Sequence, residues 1–172
     1  MAAAIILVVF PFAMIFAALS DVFTMTIANR ISALLIASFL VVAPFIGLSW
    51  AEFGSHIAAF VVVLAVTFAL FAAGTMGGGD AKLLASTAIW LGLSMNLVTY
   101  LVVASFAGGV LTLILLKLRN SSAAVFVGEV AVLRRMVDEK DIPYGVALAI
   151  GGLFAYANSP AMLYALNYFA LN

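Results

Sequence analysis

The sequence predicts an all-α fold, a polytopic membrane bundle of six transmembrane helices. Three observations predict it. Of 172 residues, 67% are hydrophobic, and mean hydropathy is +1.32. Seven residues are basic and seven acidic, 8% of the chain, where a soluble domain carries about 25% charge. The charges leave uncharged stretches at 1–20, 31–51, 53–79, 83–116 and 142–172, each long enough for a crossing of about 20 residues. This composition excludes a soluble globular domain and a disordered chain. A net charge of zero with no basic face excludes nucleic-acid binding. The chain has no cysteine, which removes disulfides, thiolate nucleophiles and Cys-ligated zinc. A single histidine, His56, cannot build a multi-histidine metal site.

The elements follow in order. A first helix is expected over 2–19; it lacks a basic segment ahead of its long apolar run, so it reads as a retained helix and not a signal peptide. Helices over 31–50 and 57–75 come next. The stretch 83–116 holds 34 residues; as one helix it would measure roughly 50 Å against a hydrocarbon core of about 30 Å. Gly92-Leu93-Ser94-Met95-Asn96 supplies a break, giving helices over 80–94 and 97–117. Asn158-Ser159-Pro160 interrupts the last stretch, leaving a crossing over 143–160 and an interfacial tail. The segment Ala123–Met136, with Glu129, Arg134 and Arg135, reads either as a surface amphipathic helix or as a solvated loop. All the positive charges fall in alternate loops: Arg30, then Lys82, then Lys117, Arg119, Arg134, Arg135 and Lys140. By the positive-inside rule that side is cytoplasmic and both termini are periplasmic.

Asp21 and Asp80 are then the informative residues. Each is expected at the cytoplasmic edge of a helix, and ionisable groups at membrane depth point to function. Two carboxylates that meet cannot both ionise easily, so the pair can share a proton. One then acts as general base on a water while the other polarises a substrate carbonyl. The competing structural reading pairs Asp21 with Arg30 and Asp80 with Lys82, or makes Asp80 a helix cap. Proton-coupled transport is a further use of such a pair. Gly77-Gly78-Gly79 immediately before Asp80 costs helix stability and lets another backbone approach. A peptide bound as an added strand would need that access; a hinge or tight helix contact is the alternative.

Gly77-Gly78-Gly79-Asp80-Ala81-Lys82-Leu83 resembles the Gly-x-Gly-Asp-x-Lys-Leu element of the type IV prepilin peptidase family, intramembrane aspartyl proteases. Two regions agree with that resemblance. Ser20-Asp21 followed by Ile27-Ala28-Asn29 is similar to the family's first aspartate and its Ile-Pro-Asn element. Ile142-Pro143-Tyr144-Gly145 is similar to its Ile-Pro-aromatic-Gly element. The resemblance implies a prepilin leader peptidase of the bacterial inner membrane, acting at the cytoplasmic face on pilin and pseudopilin precursors. The pilus assembly machinery is a further implied partner. It assigns Asp21 and Asp80 as the catalytic pair, and Gly77, Gly79 and Lys82 as motif residues. Pro143 and Gly145 are assigned either to the site or to helix initiation. No metal or organic cofactor is implied.

Departures from the family pattern refine the expectation. Long members carry an N-terminal segment with zinc-binding cysteine pairs and methylate the new pilin N-terminus. This cysteine-free sequence resembles instead the short members associated with tight-adherence (Flp) pili. It is expected to be a single transmembrane peptidase domain over 1–172 that cleaves without methylating. Ala28 stands where proline is usual, and Phe23-Thr24-Met25-Thr26 replaces a commonly basic stretch. Elsewhere, His56 reads as a solvated external-loop residue. Trp50, Trp90 and Tyr100 read as interface markers, and Asn29 and Asn96 as turn or cap residues. Two rival functions remain: a proton-coupled transporter or channel subunit using Asp21 and Asp80, and a non-catalytic pilus assembly protein.

Overall fold

The computed structural model describes residues 2–119 and 142–171, so the segment Ala123–Met136 lies outside the described residues. These residues are helical in seven α-helices: α1 (Ala2–Thr24), α2 (Asn29–Val42), α3 (Trp50–Ala72), α4 (Gly78–Leu91), α5 (Met95–Arg119), α6 (Tyr144–Tyr156) and α7 (Pro160–Ala170). Helices occupy all six predicted stretches. By length and apolarity, however, only α1, α3 and α5 are able to cross a bilayer alone, with the bent pair α6–α7 as a fourth candidate.

The differences from the expected boundaries have local causes. The second helix stops at Val42 and tightens into a 3-10 turn over Ala43–Phe45, because Pro44 has no N–H to continue the ladder. The third starts seven residues before the expected 57. There Ser49 and Glu52 form a reciprocal capping box: the Glu52 N–H donates to Ser49 Oγ at 3.3 Å, and the Ser49 N–H to Glu52 Oε2 at 2.8 Å. That early start draws His56 out of the expected loop and into α3. The break after α4 is real; Gly92 adopts φ 66, a left-handed value that favours glycine. The interruption in the last stretch is real too. Ser159 Oγ accepts the Met162 N–H at 3.2 Å, Pro160 opens α7, and the two helix axes bend by 54°.

Helix α4 is the centre of the bundle. Ten of its 14 residues are buried, Ser86 and Thr87 among them. It packs against α3, α2 and α6, while α1 packs on α6, α2 and α7. An aromatic plug fills the half of the core away from Asp80. Trp90 donates from Nε1 to the Leu35 carbonyl at 2.9 Å and meets Phe10, Phe39 and Tyr156 edge-on. Phe10 stacks on Tyr156 with centroids 3.9 Å apart, and the Tyr156 hydroxyl donates to the Ile6 carbonyl at 3.0 Å. His56 joins this plug, stacked on Phe39, its Nδ1 2.7 Å from the Ile89 carbonyl oxygen. It is therefore a buried core residue, not a solvated one. Trp90 and Tyr100 are likewise buried and mark no interface, whereas Trp50 is 90% exposed. The outer surface is apolar, with Phe12, Val102 and Phe106 all well exposed, as a lipid-facing belt requires.

Candidate active site

The helix ends opposite the plug carry the candidate residues. Asp21 lies in the last turn of α1 and is buried. The helix stops just after it because Met25 turns left-handed, at φ 52, with its N–H donating to the Asp21 carbonyl at 2.8 Å. Such a φ is uncommon for a residue with a Cβ. Side chains stabilise the turn: Ser20 Oγ donates to the Thr26 carbonyl at 2.9 Å, and Thr24 Oγ1 to the Ser20 carbonyl at 2.7 Å. Phe23-Thr24-Met25-Thr26 is thus a hydrogen-bonded corner that presents Asp21.

Asp80 lies in the first turn of α4, and two of the three glycines before it permit close approaches there. A Cβ on Gly77 would sit 2.8 Å from Asp80 Oδ2, and one on Gly79 would sit 3.1 Å from Ile27 Cβ and 3.4 Å from its backbone nitrogen. Gly77 therefore makes room for the carboxylate, and Gly79 lets α4 dock against the α1–α2 corner. Lys82 reinforces that docking. Its Nζ donates to Asn29 Oδ1 at 2.9 Å, which joins the first turn of α2 to α4. Asn29, expected to serve only a turn or cap, is thereby a cross-helix partner. Lys82 was expected to pair with Asp80 if it paired at all; its pairing with Asn29 was not anticipated from spacing, although both lie in the motif segments.

The third wall comes from the start of α6. Pro143, at φ −73 and ψ 79, centres a tight turn in which the Tyr144 N–H donates to the Ile142 carbonyl at 2.8 Å, the geometry of an inverse γ-turn. This turn aims the Gly145 N–H at Asp21 Oδ2, 2.7 Å away. The Gly145 Cα faces the same carboxylate so closely that a Cβ would lie 2.8 Å from Asp21 Cβ. Asp21 consequently caps the otherwise open end of α6, a charge-assisted contact that orients the carboxylate.

Asp21 and Asp80 line one cavity of about 590 Å³. Met25 and the Gly74–Gly77 loop form its rim; Leu84 of α4, Leu101, Ala104, Ser105 and Gly108 of α5, and Tyr144, Ala147 and Leu148 of α6 form its walls. Of the other expected site residues Gly77 is in the lining, whereas Gly79, Lys82, Pro143 and Gly145 lie outside it. Sequence reasoning gave no site role to Met25, Ser105 or Tyr144; Met25 lay in the departing stretch 23–26 and Tyr144 in the element 142–145, while Ser105 lay in neither. The Tyr144 ring packs on Gly108, and its hydroxyl is 3.3 Å from Thr112 Oγ1. Two buried or half-buried carboxylates around one polar-rimmed, apolar-walled cavity can activate a water against a bound carbonyl. Among the described residues no three His, Cys, Asp or Glu side chains come together as a metal site.

Curated proteins and solved structures give no match. The model of the type IV leader peptidase family matches residues 8–113, a stretch that contains both Asp21 and Asp80. On that match, which spans more than half of the chain, this protein is a member of the type IV leader peptidase family.

Proposed function

We propose that the chain is an aspartic-type prepilin leader peptidase in which Asp21 and Asp80 together activate the hydrolytic water. The observation that carries this reading is that both carboxylates line a single cavity, with Asp21 oriented by the Gly145 N–H. In this mechanism the pair holds one proton. One carboxylate takes a proton from water as the oxygen attacks the scissile carbonyl, and the other donates a hydrogen bond to the developing oxyanion. The pair then returns a proton to the leaving amine, which restores the starting state. Because coupled carboxylates titrate as a unit, the two roles belong to the pair. Gly77 and Gly79 shape access of the substrate backbone, and Lys82 steadies the first turn of α4, which carries Asp80, against α2.

The substrates in this reading are pilin and pseudopilin precursors. Cleavage occurs at the cytoplasmic face of a bacterial inner membrane, without N-methylation, in a single peptidase domain associated with Flp-type pili. All six helical stretches cross the bilayer in this reading, α4 as a short helix enclosed by its neighbours and α2 as a short helix whose Leu34, Leu40 and Val41 are exposed to lipid. The test is co-expression with a tagged pilin precursor, followed by mass spectrometry. The wild-type chain should remove a leader-sized fragment, and Asp21→Asn or Asp80→Asn should lower the rate at least about a hundredfold, the low end of what positioned acid–base groups supply. A well-folded wild-type chain that processes no precursor, while sealed vesicles show proton flux lost in both variants, would replace this reading with transport.

A further inference from the structure

The cavity has an apolar side that the carboxylate chemistry alone does not use. Helix α5 packs along α6 but barely touches α4, so the two walls of the cavity splay apart beyond the carboxylates. On the α5 wall Leu101 is 38% exposed, and Ser105 is exposed one turn above it. Leu101 to Gly108 spans about 10 Å of helix axis, so the cavity extends about two turns of α5 toward the bilayer centre. Ser105 is the unexpected group there. Neighbouring hydroxyls on α5 back-bond to their own helix, Thr99 to Met95 and Thr112 to Gly108. Ser105 Oγ has no hydrogen-bond partner among the described residues. A hydroxyl at that depth is costly unless something completes it. A lipid tail cannot do so, whereas an unwound peptide backbone offers carbonyls.

We propose that the gap between α4 and α5 is the lateral opening through which the apolar stem of the precursor reaches the carboxylates, and that Ser105 positions it by donating to a backbone carbonyl just after the scissile bond. This rests on the peptidase reading above. The occupant is a membrane-embedded peptide segment, apolar against Leu84, Leu101 and Leu148, with backbone groups exposed where it enters the site.

Because the chain has no cysteine, single cysteines can test this directly. Leu101→Cys or Ser105→Cys is placed in the Asp80→Asn background and cross-linked to a precursor bearing one cysteine in the first turns of its stem. Phe106→Cys and Val110→Cys, on the far face of α5, are the controls. Cross-links from 101 and 105 but not from 106 and 110 are expected. In the active chain, Ser105→Ala should slow processing up to about tenfold, the worth of one hydrogen bond, and Ser105→Thr should restore it. A short soluble peptide spanning the cleavage site should lose less than the membrane-anchored precursor. Equal cross-linking from both faces of α5, or none from 101 and 105 while the wild-type chain processes the precursor normally, would overturn the lateral opening and leave the peptidase standing. Failure of the wild-type chain to process any precursor would instead remove the reading on which the opening rests.

Discussion

Gly145 and Asp21 show how little freedom the site allows a single residue. The Gly145 N–H lies 2.7 Å from the carboxylate, and its missing side chain is the reason the two backbones can stand so close. Gly145→Ala should displace Asp21 and shift the start of α6 from α1, because the nearest atom, Asp21 Cβ, is fixed by its own backbone. Processing should fall about a hundredfold, the penalty for displacing a reacting group by about 1 Å, with a loss of stability of about 1–3 kcal/mol as overpacking gives and the chain still folded. Parallel loss of folding would show that the contact is structural first. Asn29 and Lys82 make a gentler case. Their hydrogen bond is exposed, so its stability value is small, but it ties the first turn of α4, which carries Asp80, to the start of α2. Asn29→Ala and Lys82→Met should each reduce processing several-fold, and the double variant should do no worse than either single one, the signature of a shared interaction. Additive losses would mean that Lys82 meets substrate independently. The carboxylates were readable because charge is rare in this chain. Asn29 was not readable as a partner of Lys82, since 53 residues separate them and no periodicity links them.

At the scale of elements, glycine again decides, but through backbone approach between helices. Where α6 crosses α5, a Cβ on Gly151 would lie 2.8 Å from the Ala104 nitrogen and 2.9 Å from the Tyr100 carbonyl oxygen. These are main-chain atoms and cannot swing away. Gly151→Leu should therefore lever α5 off α6, cost about 1–3 kcal/mol as overpacking does, and open the wall of the cavity formed by Ala104 and Leu148. Differential scanning fluorimetry in detergent should show the drop, and an unchanged melting temperature would contradict the packing described. The same scale explains where sequence reading placed helix ends well or badly. The breaks at Gly92 and at Asn158-Ser159-Pro160 carry local chemistry and were legible. The start of α3 was equally local, in Ser49 and Glu52, but the long uncharged stretch after Glu52 drew attention away from the capping pattern. The burial of Trp90, Tyr100 and His56 was not legible, because an aromatic residue suits a membrane interface and a packed core equally well. Only the neighbours from other helices decide between the two.

The whole molecule divides into a rigid half and an open half. The aromatic plug around Trp90 ties α1, α2, α3, α4 and α6 together, while the half about 15 Å away along α4 is lined by glycines, corners and the two carboxylates. That division suits an enzyme that must hold its scaffold still and admit a chain at one end. The charges follow it. Among the described residues Arg30, Lys82, Lys117 and Arg119 all lie at the carboxylate end of their helices, and the opposite end carries Glu52 but no lysine or arginine. On the orientation proposed above, with positive charge retained on the cytoplasmic side, the cavity would open toward the cytoplasm. The cysteine-free chain makes this testable without background. Thr26→Cys and Thr75→Cys, at the carboxylate end, should react with an impermeant maleimide only after the membrane is permeabilised. Leu48→Cys and Ser94→Cys, at the plug end, should react from outside in intact spheroplasts. Labelling in the reverse sense would place the carboxylates on the periplasmic face, away from an unprocessed leader, and the cytoplasmic peptidase would have to be abandoned even if both aspartates proved essential.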